Sequence, residues 1–186
     1  MKSPAPGRMR ITATWLIACA LGVTCVLAVA QPRGLSPEAA AAYNQWMQAS
    51  CIGDEERKLI EALRRNADPL AAAFRRAIET GPPAGEVRAA RTAAEARFAL
   101  REKFPIQDFA IEGVSEKDLA AFRRVSRQAY VDDQVKRYIT GYRANAVAGL
   151  GIVGGPGARE TLARLERNRN DPLSIAAREA LRTSTQ

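Results

Sequence analysis

The chain has 186 residues, of which 28 are lysine or arginine, 20 are aspartate or glutamate and none is histidine. The lack of histidine excludes Ser-His-Asp and Cys-His catalysis and removes the commonest metal ligand. Aromatic residues make up 6% of the chain, and the abundant Ala, Leu, Arg and Glu are good helix formers. The composition therefore predicts an all-α protein.

The N-terminal segment, 1–30, resembles an export signal. Three basic residues come first, namely Lys2, Arg8 and Arg10. An uncharged, mostly apolar run follows over 11–30. Ala28 and Ala30 put small side chains where a signal peptidase requires them, which predicts cleavage before Gln31. A run of this length also suits a retained inner-membrane anchor, which is the alternative.

A third interpretation comes from Leu16-Ile17-Ala18-Cys19, which looks like a bacterial lipoprotein cleavage box and would leave a lipidated Cys19. All three interpretations predict an exported protein, either periplasmic, secreted or anchored to the inner membrane. Cys19 and Cys25 lie in the signal, so Cys51 would be the single cysteine of the mature protein. Its helical spacing from Tyr43 and Met47 predicts a buried apolar position, and an intermolecular disulfide is the alternative.

The charge of the mature protein bears on its partners. Residues 1–30 hold three basic residues and no acidic ones, so cleavage lowers the net charge from +8 to +5. A basic protein in a bacterial envelope would meet anionic lipids and polymers, not nucleic acid. The other interpretation is that arginines cover solvated helix faces.

Residues 31–35 are interpreted as a linker, and residues 36–186 as one domain of seven or eight helices joined by short corners. The first helix runs from a Ser36 cap to about Ser50, the second begins at Asp54, the third begins at Asp68-Pro69, and the fourth spans about Gly85 to Phe104. Consecutive antiparallel helix pairs are expected when the loops are this short.

The second half begins with an irregular stretch over residues 105–114, after which Ser115 can cap a helix. Residues 116–153 form either one bent helix or two, and Asp132-Asp133 is a plausible start for the second. Another helix spans about Pro156 to Asn168. Asp171-Pro172 opens the last helix, whose inward residues are expected to be Ile175, Ala176 and Leu181.

A repeat is visible near the C-terminus, where Ala146 and Leu150 recur at one common offset as Ala177 and Leu181. The region from about Val135 to Leu181 resembles HEAT-like helical repeats. The positions that carry the resemblance are Arg143, Ala146, Leu150, Gly151 and Gly154 in the first helix and its corner, Leu162 and Leu165 in the second helix, and Asp171, Pro172, Ile175, Ala177 and Leu181 at the start of the next repeat.

The resemblance implies a short α-solenoid of stacked helix pairs that binds other proteins on a curved surface; a minority of the family are lyases that handle tetrapyrroles. Two departures are present. The last repeat lacks its second helix, and residues 36–135 show no regular period. The first half is therefore either degenerate repeats or an unrelated helical cap.

Residues 149–154 match the pattern G-x-G-x-x-G, which occurs in dinucleotide-binding loops. That motif needs a preceding strand and a complete βαβ unit. Helical periodicity precedes it here, and the segment 155–186 that follows is too short to complete such a unit. The glycines are therefore interpreted as a helix end, a tight corner and a close helix contact.

Carboxylate pairs are the remaining enzyme option. Glu55-Glu56 and Asp132-Asp133 are adjacent in sequence, which places each pair about 100° apart on a helix and not at one site. The sequence also offers an aromatic-basic patch, made of Tyr130, Tyr138, Tyr142, Arg127, Lys136 and Arg137. The helical spacing of the last two tyrosines favours positions at the edge of the core.

The sequence thus predicts an exported helical-repeat protein that acts as a protein-binding or scaffold module, with no catalysis, cofactor or metal. The alternative function is an envelope-associated structural factor whose basic surface binds an anionic membrane or cell-wall polymer.

Overall fold

A computed structural model describes residues 34–48, 56–103 and 124–184. Within these ranges the chain forms seven α-helices and no strand. The helices are α1 (Pro37–Gln48), α2 (Glu56–Arg65), α3 (Ala67–Thr80), α4 (Ala84–Lys103), α5 (Arg127–Val153), α6 (Pro156–Arg167) and α7 (Ser174–Thr183). The all-α prediction is confirmed, whereas the solenoid arrangement stays a prediction.

Some predicted features lie outside the described residues. They are the signal and cleavage residues including Ala28, Ala30 and Gln31, the linker start, the cysteines Cys19, Cys25 and Cys51, the helix boundaries at Ser50, Asp54 and Phe104, and the stretch from 105 to the Ser115 cap. None of the helices in the described ranges is long and apolar enough to cross a membrane.

Local capping explains where the first helices begin. Ser36 caps α1 as predicted, because its Oγ accepts a hydrogen bond from the Ala39 N–H at 3.2 Å. Helix α3 begins at Ala67, directly after Asn66 and one residue before the predicted start, so Asp68-Pro69 lie in its first turn. Proline is tolerated there because the first N–H groups of a helix have no intrahelical partner.

The start of α5 corrects the sequence prediction. The helix begins at Arg127, where Ser126 Oγ accepts a hydrogen bond from the Ala129 N–H at 3.2 Å, and continues unbroken to Val153. Asp132-Asp133 therefore do not start a helix but lie in the second turn. A single helix over residues 116–153 is also wrong, because residues 124–126 are not helical.

Helix α5 lies at the centre of the fold and contacts each of the other six described helices. The C-terminal half of α5 contributes Ala146, Val147 and Leu150, all fully buried, to a large core shared with α1, α2, α3, α6 and α7. The N-terminal half packs against α4 in a small cluster formed by Ala94, Val131 and Val135. Truncating a leucine as buried as Leu150 to alanine typically costs about 2–5 kcal/mol.

Two glycines let α5 approach its neighbours. A Cβ on Gly149 would lie 2.5 Å from Phe74 Cζ and 2.8 Å from Trp46 Nε1, and a Cβ on Gly151 would lie 2.8 Å from Ala180 Cβ. Both glycines are inside the helix. The predicted close helix contact is therefore made by Gly149 and Gly151, against α1 and α3 on one face and α7 on another.

The predicted corner is made by the next two glycines. Gly154 and Gly155 have φ values of +67° and +89°, which favour glycine. The Gly154 N–H donates to the Leu150 carbonyl at 3.1 Å and ends α5, and Pro156 begins α6. The G-x-G-x-x-G pattern thus forms the last helical turn and the cap of α5.

One of the three residues predicted to face inward on the last helix is exposed, whereas Ala176 and Leu181 pack against the core as expected. Asp171 opens the preceding turn as expected, since its Oδ1 accepts a hydrogen bond from the Leu173 N–H at 2.9 Å. Ile175, however, is 70% exposed, whereas Leu173 and Ala177 are fully buried. Residues two apart on a helix point about 200° away from each other, so burying Ala177 turns Ile175 to solvent.

Candidate functional site

A groove with a volume of about 760 Å³ opens between α1, α3, the start of α4 and the middle of α5. We call it the tyrosine groove, because three tyrosines line it. The lining residues that matter below are Tyr43, Asn44, Gln48, Arg76, Thr80, Pro82, Pro83, Glu86, Tyr138, Gly141, Tyr142 and Asn145.

Hydrogen bonds between side chains and backbone fix α1 against α5. Trp46 Nε1 donates to the Asn145 carbonyl at 2.8 Å, and Asn145 Nδ2 donates to the Met47 carbonyl at 3.3 Å. Arg143 Nε donates to the Ile78 carbonyl at 2.7 Å and so holds the end of α3 on α5. Hydrogen bonds between residues far apart in sequence therefore hold the walls of the tyrosine groove in place.

The corner between α3 and α4 closes one end of the groove. Gly81 ends α3 with a φ of +71°, and its N–H donates to the Ala77 carbonyl at 3.0 Å. Pro82 and Pro83 follow, and their rings restrict the backbone before α4 begins. The corner places Glu86, in the first turn of α4, beside Tyr138 of α5.

The three tyrosines bring their hydroxyl groups to the groove, and two of these hydroxyls lie within hydrogen-bond distance of each other. Tyr43 is 6% exposed and packs against Phe74 with ring centroids 5.2 Å apart. Its hydroxyl lies 3.4 Å from the hydroxyl of Tyr142. Tyr138, one helical turn before Tyr142, donates its hydroxyl hydrogen to Glu86 Oε2 at 2.8 Å.

The tyrosine hydroxyls keep their protons well above neutral pH. Burial raises the pKa of Tyr43, and the hydrogen bond with Tyr142 raises it further. Burial also raises the pKa of Tyr138, with the Glu86 carboxylate as the next cause. The pKa of Tyr142 is raised mainly by burial. The groove therefore offers neutral hydroxyl groups as donors and acceptors.

Two further polar groups of the groove have unused hydrogen-bonding capacity. Asn44 Oδ1 is buried without a hydrogen-bond partner, a condition that typically costs about 1–3 kcal/mol. Arg76 is exposed on α3, and within the described part of the chain no carboxylate lies within 4.0 Å of its guanidinium. Arg76 can reach an occupant of the groove directly, whereas the Asn44 side chain has to rotate first.

The aromatic-basic patch considered from the sequence is not brought together as a unit. Tyr138 and Tyr142 line the groove, but Tyr130 packs against Phe98 at 5.5 Å between ring centroids, in the small cluster region. The Arg101 guanidinium lies 6.0 Å from the centroid of the Tyr130 ring. Tyr130 therefore belongs to the contact between α4 and α5, away from the groove.

The adjacent aspartates do not converge on one site either. Asp132 accepts hydrogen bonds from Gln128 at 2.7 Å and Arg91 at 3.1 Å, and these interactions hold its pKa below the usual value. Asp133 accepts from Arg137 at 2.7 Å. In the described ranges no group of three or more cysteine, aspartate or glutamate residues could hold a metal ion.

Most of the repeat-signature residues are structural. Ala146, Leu150, Gly151, Leu162, Leu165 and Ala177 are buried, Leu181 is half-buried, and Asp171, Pro172 and Gly154 lie at corners. None of these lines the tyrosine groove. Arg143 contributes to the groove indirectly, because its hydrogen bond to the Ile78 carbonyl fixes the end of α3, which forms part of the groove wall.

Sequence reasoning missed Asn44, Arg76 and Glu86 as site residues, and it placed Tyr43 only as part of a buried stripe. One signal was available for Glu86: it lies three positions after Pro83, in the first turn of a helix that starts at a fixed corner. No protein-family model matches the chain, and no match is found among curated proteins or solved structures.

Proposed function

We propose that the chain is a small protein-binding module that receives an extended segment of a partner protein in the tyrosine groove. The observation that carries the proposal is the groove itself, with a volume of about 760 Å³ and walls tied by long-range hydrogen bonds. Ligand sites typically measure about 300–1,000 Å³ and are largely formed before binding.

The lining residues support binding of a polypeptide. Tyrosines such as Tyr43, Tyr138 and Tyr142 offer a rigid apolar ring and a polar end, which is why tyrosine is enriched in interfaces. Arg76 can supply a charge-assisted hydrogen bond to an acidic group of the partner. Asn44 Oδ1, which lacks a partner, can accept a hydrogen bond from the bound segment after a side-chain rotation.

The proposal excludes catalysis by these tyrosines. A shifted tyrosine pKa in a cleft is often a sign of acid–base chemistry. The pKa shifts in the groove are upward, whereas a general base works best with a pKa near the operating pH. A hydroxyl that keeps its proton serves recognition better than proton transfer.

The proposal also includes the finer predictions from the sequence. The seven described helices would be a short HEAT-like solenoid, exported to the periplasm or beyond under the direction of residues 1–30. Binding to an anionic membrane or polymer has weaker support. In the described helices six arginines form ion pairs with carboxylates, which neutralises part of the basic surface.

A site-specific photocrosslinking experiment tests the binding function. A photoreactive amino acid replaces Gln48 or Thr80, both exposed at the groove, in the full-length chain, and exposed Ile175 on α7 is the control position. We expect a discrete adduct with an envelope protein from the two groove positions and none from position 175.

A blocking variant makes the experiment specific to the groove. Gly141 lines the groove, and a Cβ added there would meet no atom within 4 Å. Gly141→Trp should therefore fill the groove without disturbing the core and abolish the adduct, while Gly141→Ala should retain it. Equal adducts from all positions, or an adduct that Gly141→Trp leaves unchanged, would contradict the proposal.

A further inference from the structure

The Glu86 carboxylate has an unusual environment for a surface acid. It is half-buried, accepts one hydrogen bond from the Tyr138 hydroxyl at 2.8 Å, and raises the pKa of Tyr43 and Tyr142 as well. One negative charge is thus close to three aromatic side chains at the wall of an open groove.

No cation of the described chain occupies this position. Among the described residues, no lysine or arginine nitrogen lies within 4.0 Å of Glu86. Arg76 lines the same groove but does not form an ion pair with Glu86. An ionised carboxylate can accept about four hydrogen bonds, and the structure gives Glu86 a single one from the described side chains.

This combination suits an organic cation more than a metal ion. A single carboxylate surrounded by neutral hydroxyls lacks the several oxygen ligands that a hard cation needs. Tyrosine rings, in contrast, attract cations over their faces, and a guanidinium group can stack on a ring and make two hydrogen bonds to one carboxylate. Guanidinium is also less strongly hydrated than ammonium, so moving it into a groove costs less.

We propose that Glu86, with Tyr138 and Tyr142, forms a subsite for an arginine side chain of the segment that the tyrosine groove binds. Arg76, which lines the same groove on α3, repels a second cation and attracts an acidic group of the same segment. The partner segment therefore carries both charges, with arginine directed to α4 and an acidic residue directed to α3. The identity of the carrier as a protein segment rests on the proposed function, whereas the cation subsite does not.

The test uses the full-length protein and small probes of matched shape. N-acetyl-arginine methylamide is titrated against the ¹⁵N-labelled chain while the amide signals of the groove are followed by NMR. N-acetyl-citrulline methylamide, which is nearly isosteric and neutral, is the first control, and N-acetyl-lysine methylamide measures the preference for a planar cation. Sodium chloride at the same ionic strength controls for screening.

We expect saturable shifts at residues 86, 138 and 142 with the arginine probe. Binding of the citrulline probe should be at least about tenfold weaker, because it lacks the positive charge that strengthens a hydrogen bond to a carboxylate. Glu86→Gln should remove this preference, because the variant lacks the negative charge. The fold should be kept, because the amide oxygen can still accept the hydrogen bond from Tyr138. Glu95→Gln alters an exposed acid on the same helix and should change nothing. Arg76→Gln should leave the binding of the arginine probe equal or tighter.

Equal affinity for the arginine and citrulline probes, or an unchanged preference in Glu86→Gln, would overturn the subsite. The two proposals fail separately. Groove-specific crosslinking without any preference for the arginine probe removes the subsite and leaves the binding function. A charge-dependent preference for the arginine probe without a groove-specific adduct removes the binding function and leaves the subsite.

Discussion

Three glycines of α5 show that the same residue type serves different purposes within one helix. Gly149 and Gly151 are buried, and Gly141 is exposed at the tyrosine groove. A Cβ at Gly149 would meet the ends of the Phe74 and Trp46 side chains, whereas a Cβ at Gly151 would meet the Ala180 backbone at 3.0 Å from its carbonyl oxygen. Side chains can move, but backbone in a packed helix moves at greater cost.

We expect Gly149→Ala and Gly151→Ala to lower the free energy of unfolding, by about 1–3 kcal/mol for overpacking at Gly149 and by more at Gly151. Gly141→Ala should raise it by about 0.5–1 kcal/mol, since alanine is the better helix former and has open space there. Urea unfolding of the three variants measures the effects. A destabilising Gly141→Ala would show that the groove wall is packed more tightly than the structure indicates.

The raised pKa values of the groove tyrosines predict how stability depends on pH. An unfolded tyrosine loses its proton near its ordinary pKa of 10.0, while Tyr43 in the folded protein keeps it to higher pH. The unfolded state then binds fewer protons, so stability is complete below pH 10 and falls as the pH rises. For a tyrosine as buried as Tyr43, the free energy of unfolding should fall by up to about 1.4 kcal/mol per pH unit above pH 10. Tyr138 and Tyr142 are only half-buried and should contribute less to this fall.

The measurement is the free energy of unfolding in urea between about pH 8 and pH 11, a range that brackets the ordinary tyrosine pKa of 10.0. Tyr43→Phe lacks the ionisable hydroxyl and should show a shallower fall above pH 10. If the wild-type protein and the variant gave the same slope, Tyr43 would not be the group that couples folding to alkaline pH.

At the scale of the helices, α7 shows where a repeat pattern misleads. The repeat offset correctly indicates that Ala177 is buried like Ala146. It does not fix the rotation of the whole helix, because the inward face depends on contact between Ala180 and Gly151. Ile175 is therefore exposed, although it matches a signature position.

We expect Ile175→Ser to change the free energy of unfolding by less than about 0.5 kcal/mol, as is usual for exposed positions. Leu173→Ala, which truncates a fully buried side chain just before α7, should cost about 2–5 kcal/mol. Thermal unfolding of the two variants, monitored by circular dichroism, measures these effects. A large effect of Ile175→Ser would restore the orientation inferred from the repeat.

Local patterns predicted the helices better than they predicted the site. The caps at Ser36 and Asp171 act on residues two or three positions away, so a short stretch of sequence is enough to indicate them. The start of α5 was missed because helical periodicity was followed through Ser126, although serine is a favoured capping residue.

The site depends on distant residues instead. Tyr43 and Tyr142 are 99 positions apart, and Glu86 and Tyr138 are 52 positions apart. Periodicity indicates that each of these residues lies on a helix, but it carries no information on which helices meet. A side chain such as Asn44, half-buried on a helix that also carries the polar residues Gln45 and Gln48, has no local pattern that would single it out.

For the whole molecule, the distribution of buried side chains divides α5 in two. Its C-terminal half belongs to the large core, whereas its N-terminal half meets only the small cluster with Ala94, Val131 and Val135. The tyrosine groove lies at the junction, because Glu86 comes from α4 and Tyr43 from α1. Local stability rises with the apolar area that a segment buries.

We therefore expect native-state hydrogen exchange to be faster for the amides of α4 and of residues 127–137 than for those of residues 144–152. Val135→Ala should increase exchange in the former group and leave the latter nearly unchanged, while Val147→Ala should destabilise both. Uniform protection along α5 would mean that the two clusters unfold as a single unit.

The contacts of Gly149 and Gly151 also limit how this chain can diverge during evolution. Position 149 faces the ends of the side chains at positions 46 and 74, so a larger residue there is permitted when both of these side chains become smaller or move. Position 151 faces the backbone of α7, so no exchange at a single partner restores the space. Homologous chains should therefore show covariation of position 149 with positions 46 and 74 and an invariant glycine at 151, even where the groove residues differ and the ligand has changed.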